Sequence, residues 1–396
     1  MHHRHALLLT IATAFAAAPA LRAAEEAAAP GSETDAAAVR ASVAGTPERL
    51  TALDALARSA AYLAAQQAEN GSFSKPKFPG LTAISLWALI GAGDPAYDGA
   101  IARATDFILS CAQPDGGFYQ PVPGRAGGGL STYNTALCLS ALSYTKRSDE
   151  AFVSAILKAR TFLAESQLEG DDEFAGGFGY DKSAPHRYAD LNNTAYVIEA
   201  MRLTERFEDL RPAGEARADL DWEAALRFAE SLHNGPDAGD SAGGFAYSPA
   251  DAKAGTEAGE GGKVVLRSYG SITYSGLLAL VYCKLDRDDA RVRSTLDWAS
   301  KHWTVEENPG VGDQGLYYFY DILSRALTVS GVDRIPKAGE DGAGIDWRDE
   351  LVAKVMSLQR PDGSFVNRNG RFWENDPVLA TGYSALTLAF ATGQLR

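Results

Sequence analysis

Two kinds of apolar segment alternate along the chain. In one, apolar residues return at i, i+4, i+7 and i+11, as in Phe152, Ile156, Ala159 and Leu163, or Val292, Leu296, Ala299 and Trp303. That spacing puts them on one face of a helix and leaves the other faces polar. In the other kind, residues are apolar or small nearly all round: LTAISLWALI from Leu81, TALCLSALSY from Thr135, TAYVIEAM from Thr194, YSGLLALVY from Tyr274, YYFYDILSRAL from Tyr317 and LATGYSALTLAF from Leu379. A helix without a polar face must be covered on both sides. The alternation therefore predicts outer amphipathic helices wrapped around inner apolar ones.

A short phrase recurs between the two kinds: QAENGSF at Gln67 to Phe73, QPDGGF at Gln113 to Phe118, GGFGY at Gly176 to Tyr180, GGFAY at Gly243 to Tyr247 and QRPDGSF at Gln359 to Phe365. A fainter copy, QGLYY, spans Gln314 to Tyr318. The glycine supplies backbone angles that other residues adopt only at a cost, and the aromatic is placed to pack under the turn as a peg. The glutamine is suited to hydrogen-bond backbone groups left free at the preceding helix end. Roughly six units follow, and the expected architecture is all-α: an α/α toroid of about six inner/outer helix pairs closing a double ring. An open solenoid would need polar caps at its ends. Two inserts break the rhythm. Asn234 to Lys263 reads as a lid or flexible loop, and Gly331 to Asp346 as a short hairpin turning at Glu340, Asp341 and Gly342.

The ends and the charge add an address. Residues 1–23 begin with a basic Arg4, continue through an apolar run from Ala6 to Ala18 and finish on small residues, the pattern of a secretory signal peptide. The run is too short to cross a bilayer, for which about 20 residues are needed. An Ala-rich linker over 24–45 precedes one toroid domain over 46–396. The chain is thus expected to be exported, periplasmic or extracellular, and soluble once the leader is removed. Formal net charge is −14, and more negative still without Arg4 and Arg22. Such acidity disfavours nucleic acid as a partner. Cys111, Cys138 and Cys283 lack the spacing of a disulfide framework or a zinc site and read as buried thiols.

From about Pro47 onward these repeats resemble the superfamily of squalene–hopene and oxidosqualene cyclases and protein prenyltransferase β subunits, whose repeats carry a Gln, a Gly and an aromatic between helices. The resemblance implies an apolar central cavity of the sort that holds isoprenoid chains. In cyclases that protonate an alkene, the acid lies in a DxDDTA motif at the start of an inner helix. The matching register here is Asp190-Leu191-Asn192-Asn193-Thr194-Ala195, which keeps only the first acid. A literal D-x-D-D-A at Asp286, Asp288, Asp289 and Ala290 precedes an outer helix instead and reads as helix capping. The prenyltransferase zinc set, an Asp, a Cys and a His, finds no His in Asp376 to Thr381 and no Cys in Asp313 to Asp321. No metal site and no cofactor fingerprint emerge.

Inner helices that start at one rim would bring Asn134, Asp190, Asn192, Asn193, Ser271, Thr273, Asp313, Asn375 and Asp376 toward one mouth, with Arg267 as an added charge. Asp190, Asp376 and Asp313 are the candidate acids. Asn192, Asn193, Tyr133, Tyr274, Tyr317, Tyr318, Trp373 and Glu374 are the candidate ligand-binding residues, the aromatic faces suiting a carbocation, a prenyl chain or a sugar ring. Three functions stay open on these residues: a cyclase-like enzyme acting on or binding an isoprenoid lipid; a non-catalytic scaffold for a lipid or a protein partner; and a polysaccharide-active enzyme using paired carboxylates such as Asp313 with Glu374 or Asp376. A closed apolar cavity would point to lipid, an open cleft with paired carboxylates to sugar, and a filled core to a scaffold.

Overall fold

In a computed structural model, which describes residues 52–123, 129–336 and 344–395, the alternation resolves into helix pairs. The leader 1–23 and the linker 24–45 lie outside the described residues. The outer helices are α1 (Ala52–Ala65), α3 (Asp98–Ser110), α5 (Glu150–Ala164), α7 (Trp222–Ser231), α9 (Ala290–Lys301) and α11 (Trp347–Leu358). The inner ones are α2 (Pro79–Ala92), α4 (Ser131–Ser143), α6 (Leu191–Leu203), α8 (Gly270–Tyr282), α10 (Leu316–Val329) and α12 (Pro377–Ala391). Each inner helix packs on the inner helices before and after it, and α12 returns to α2, so Leu50–Arg396 contains a closed double ring. No helix of the described residues is long and apolar enough to cross a membrane.

The recurring phrase explains how one unit grips the next. Gly71, Gly116, Gly176, Gly243 and Gly363 all have φ between +84° and +93°. A Cβ at each would lie 2.1–2.5 Å from a backbone carbonyl oxygen of the following outer helix, at Arg103, Lys158, Ala224, Ser294 and Arg58 respectively. The last of these joins the sixth unit to the first. The pegs Phe73, Phe118, Phe178, Phe245 and Phe365 are fully buried, and each donates its backbone N–H to a threonine hydroxyl near the start of the inner helix: Thr82, Thr135, Thr194, Thr273 and Thr381, at 2.9–3.2 Å. Gln67, Gln167 and Gln359 donate to the carbonyl of their own turn glycine and to a carbonyl at the next outer helix, Ala100, Asp221 and Ala55. These three glutamines clamp the following helix, whereas Gln113 donates to the Cys111 carbonyl at the end of the preceding one, as expected.

The fifth unit departs from this plan. Gln314 to Tyr318 is not a turn copy: Gly315 is the N-cap of α10, and Tyr317 and Tyr318 lie inside that helix. Its turn is a loop braced by Asn308, which accepts the Ser271 N–H at 2.8 Å and donates to the Gln314 carbonyl at 3.0 Å. The insert before α8 is built, not loose: β1 (Thr256–Ala258) pairs antiparallel with β2 (Val264–Leu266). The second insert closes through an Ile335–Ile345 bridge, with residues 337–343 outside the described ones.

Six aspartates, Asp149, Asp190, Asp221, Asp289, Asp346 and Asp376, cap helices by accepting backbone N–H groups. This use accounts for the D-x-D-D-A stretch, where Asp289 caps α9 and Asp286 accepts the N–H groups of Asp288 and Asp289. Cys111 and Cys138 are buried and Cys283 half-buried, all as free thiols.

Candidate functional site

The start of α6 is the centre of the candidate site. Asp190 is fully buried; one carboxyl oxygen accepts the Asn193 backbone N–H and the other the Asn193 side-chain amide, both at 2.8 Å. Burial pushes its carboxyl up to about 6, against the pull of the Asn193 bonds and the Lys253 ammonium. The Asn193 Oδ1 has no hydrogen-bond partner among the described residues. Rotation of that amide would let a protonated Asp190 donate to this oxygen. Folded-state pKa above unfolded means stability that is complete below about 4 and is lost as pH rises through about 6. Asp190→Asn is neutral throughout. The melting temperature of the parent minus that of Asp190→Asn should therefore increase as pH falls from about 7 to about 4. A difference that shrinks on acidification would mean that the carboxyl is not raised.

Around Asp190 sits a group of rings. The Tyr180 and Tyr247 hydroxyls pair at 2.9 Å, and the Tyr188 hydroxyl is buried with no hydrogen bond among the described residues. Lys253, from the insert between α7 and α8, holds its ammonium 3.3 Å from the centre of the Tyr247 ring and 5.4 Å from that of Phe372. Phe372 lies in the loop before α12 and is 42% exposed, so the insert reaches across the mouth from the fourth unit to the sixth. Lys253 makes no hydrogen bond or ion pair among the described residues, and burial pulls its pKa below the usual lysine value.

Below the mouth the inner helices supply more rings. Tyr133 meets Tyr196 at 5.7 Å, Tyr196 meets Tyr318 at 6.2 Å and Tyr318 meets Tyr383 at 5.7 Å. The Tyr318 hydroxyl bonds to Asn192 Oδ1 and, at 3.0 Å, to Ser275. Deeper still, Arg325 of α10 pairs with Glu199 of α6 at 2.5 Å and with Asp321 of its own helix at 2.8 Å, all three buried. The guanidinium stands 5.2 Å from the Trp87 ring centre and 5.7 Å from that of Tyr196. Burial and the nearby Glu199 push Asp321 up to about 6, while Arg325 opposes them. Asp321 Oδ1, Arg325 Nε, Trp87 Nε1 and Ser140 Oγ have no partner among the described residues. The centre of the ring is therefore aromatic and ionic, not the apolar chamber that the family resemblance implies.

The remaining sequence-derived candidates have other surroundings. Glu374 is buried and accepts the Tyr318 N–H and the Asn367 amide, both at 2.8 Å, capping α10 from a neighbouring loop. Asp376 caps α12 and accepts the Ser74 hydroxyl. Asp313 is exposed and accepts from Asn369 at 2.8 Å. Tyr274 is buried against Phe319 at 5.9 Å, and Tyr317 against Phe365 at 5.7 Å. Trp373 adopts φ of +64° at the mouth loop, with Phe78 at 5.0 Å and the Lys75 ammonium at 4.7 Å. Asn134 accepts the Gly80 N–H and donates to the Gly129 carbonyl, tying two units together. Arg267 pairs with Glu257 beside a separate cavity.

Sequence reasoning singled out neither Lys253 nor the Arg325 triad. A usable signal existed for the triad: Asp321 and Arg325 at i, i+4, and Glu199, are charges in the middle of inner helices that are mostly apolar. Lys253 carried none, lying in a Gly- and Ala-rich insert.

No family model and no curated relative matches the sequence. Solved structures do match in fold. The type II terpene cyclase MstE from Scytonema superposes with a TM-score of 0.52 at 15% identity, over 88% of this chain and 100% of that one. A GH76A α-1,6-mannanase from Salegentibacter gives 0.56 at 13% identity, over 87% and 100%. A protein from Actinoplanes gives 0.51 at 15% identity, over 86% and 100%. The chain thus has an α/α-toroid fold like that of type II terpene cyclases and of a GH76 mannanase, a likeness of fold and not of activity.

Proposed function

We propose that this chain is an exported, non-catalytic binding protein whose ligand is polyhydroxylated, carries an anionic group and sits at the mouth of the ring. The observation that carries this reading is the Lys253 ammonium, half-buried between the Tyr247 and Phe372 rings and lacking a hydrogen bond or ion pair among the described residues. An ammonium in that position is partly shielded from water and has donors to offer an anion. The Tyr188 hydroxyl, without a hydrogen bond among the described residues, and the partly exposed Phe372 face add a polar contact and a stacking surface beside it. An acidic oligosaccharide has all three complements.

A second reading is proton-initiated chemistry on an isoprenoid, favoured by Asp190 with its carboxyl pushed up to about 6. Sites for ligands of that size measure about 300–1,000 Å³. Beneath Asp190 the space is taken by the tyrosines and the Arg325 triad, which speaks for the first reading.

Titration calorimetry with uronate-bearing and neutral oligosaccharides separates the two. The acidic series should bind, and Lys253→Ala should weaken it by about tenfold or more, the worth of one charge-assisted hydrogen bond. A stoichiometric isoprenoid in an organic extract of the purified protein, with no saccharide binding, would overturn the proposal.

A further inference from the structure

A second site lies away from the mouth, in a cavity of about 100 Å³ between the hairpin insert, α9 and the loop before α10, lined by Ser241, Glu257, Arg267, Ser268, Trp298 and His302 among others. Trp298 is buried, and its indole N–H has no acceptor among the described residues. Its ring stacks on His302, with centroids 4.4 Å apart and planes inclined by 25°. Arg267 pairs with Glu257, its Nε 3.5 Å from the carboxylate, and its side chain makes no hydrogen bond among the described residues. The Ser241 hydroxyl accepts the Ser268 N–H at 3.0 Å and keeps its own proton to donate.

The acidic groups at the rim are already engaged. Asp240 pairs with Lys301 at 2.7 Å, and Glu257 accepts the Ser241 N–H at 2.9 Å. Burial lowers the His302 pKa, which favours the neutral ring; its Nε2 lies 3.1 Å from the Asp240 carbonyl oxygen and donates to it in that state. Three lining residues thus carry donors with no acceptor among the described residues: the Trp298 indole N–H, the Arg267 guanidinium edge and the Ser241 hydroxyl. Leaving a buried donor without an acceptor is costly, so the arrangement calls for an oxygen-bearing occupant.

We infer that this cavity binds a small carboxylate, with Arg267 meeting one oxygen and the Trp298 N–H or the Ser241 hydroxyl the other. The volume corresponds to about three waters, room for an anion of acetate or lactate size. Because Glu257 belongs to β1, an occupant would also fix the hairpin against α9.

The test is fluorine NMR on the full chain labelled with 5-fluorotryptophan, the Trp298 resonance being assigned by its loss in Trp298→Phe. Titrating acetate against sodium chloride of equal ionic strength should shift that resonance alone, saturably, with a millimolar dissociation constant. Arg267→Gln should raise the constant about tenfold or more, and Lys253→Ala should leave it unchanged. A Trp298 resonance indifferent to acetate, or responding equally to chloride, would show a cavity filled by water and overturn the inference. Should Trp298→Phe fail to fold, line broadening by a paramagnetic label attached at Cys283 and the Arg267→Gln comparison assign the signal.

Discussion

Replacing Arg325 by leucine should lower stability by about 3–5 kcal/mol, because it leaves two carboxylates buried with no counter-charge. Glu199 and Asp321 are both fully buried, and Arg325 donates to each. In a domain of this size that loss corresponds to a fall in melting temperature on the order of 10 °C. The converse variant, Glu199→Leu with Asp321→Leu and Arg325→Met, removes all three charges and their unpartnered Asp321 Oδ1 and Arg325 Nε. It should melt near the parent or above it, since apolar replacements of buried ion clusters of similar volume are often neutral or stabilising. Thermal unfolding of the two variants beside the parent checks both statements. A single variant melting within about a degree of the parent would mean that water reaches the triad and that the centre of the ring is open.

That outcome bears directly on function. A triad sealed from water plugs the ring below the mouth and leaves ligand recognition to Lys253, Tyr188, Tyr247 and Phe372. An open one would restore room for a longer guest beneath Asp190. The same variants thus weigh the binding reading against the isoprenoid one without a substrate in hand.

The ring was legible in the sequence because its period is written twice, in the apolar spacing and in the turn phrase. Phe118 and Phe178 recur with their glycines because each unit solves the same packing problem against the next outer helix. The fifth unit was misread for the same reason. Gln314 and Gly315 match the phrase by letter, but Phe319 and Tyr320 follow where the other inner helices supply a threonine, and Asn308 braces the loop instead. The mouth was legible only in part. Asp190, Asn192 and Tyr318 were readable from helix starts, whereas Lys253 reaches the site through the path of a long insert, which no local pattern encodes. The buried Arg325 triad was hidden because a family resemblance carries the shape of a ring but not the side chains that line it.

Gly176→Ala should cost about 2–4 kcal/mol, more than any exposed glycine of equal backbone conformation. Two penalties combine at this position. Its φ of +84° is in the left-handed region, where a side chain costs roughly 1–2 kcal/mol. Its Cβ would also stand 2.1 Å from the Ala224 carbonyl oxygen, inside α7, where backbone on both sides prevents easy retreat. Gly214 isolates the first penalty: its φ is +93°, and nothing lies within 4 Å of a Cβ built there. Gly214→Ala should therefore lose only about 1–2 kcal/mol. Denaturant unfolding of both variants measures the difference, which is the energy of close approach between neighbouring units. Equal losses would show that α7 moves aside freely, and the shared turn glycine would then serve the local turn alone. A larger loss at Gly176 would mean that the glycine sets the distance between units, so the contacts that it makes at Gly71, Gly116, Gly243 and Gly363 together fix the diameter of the ring.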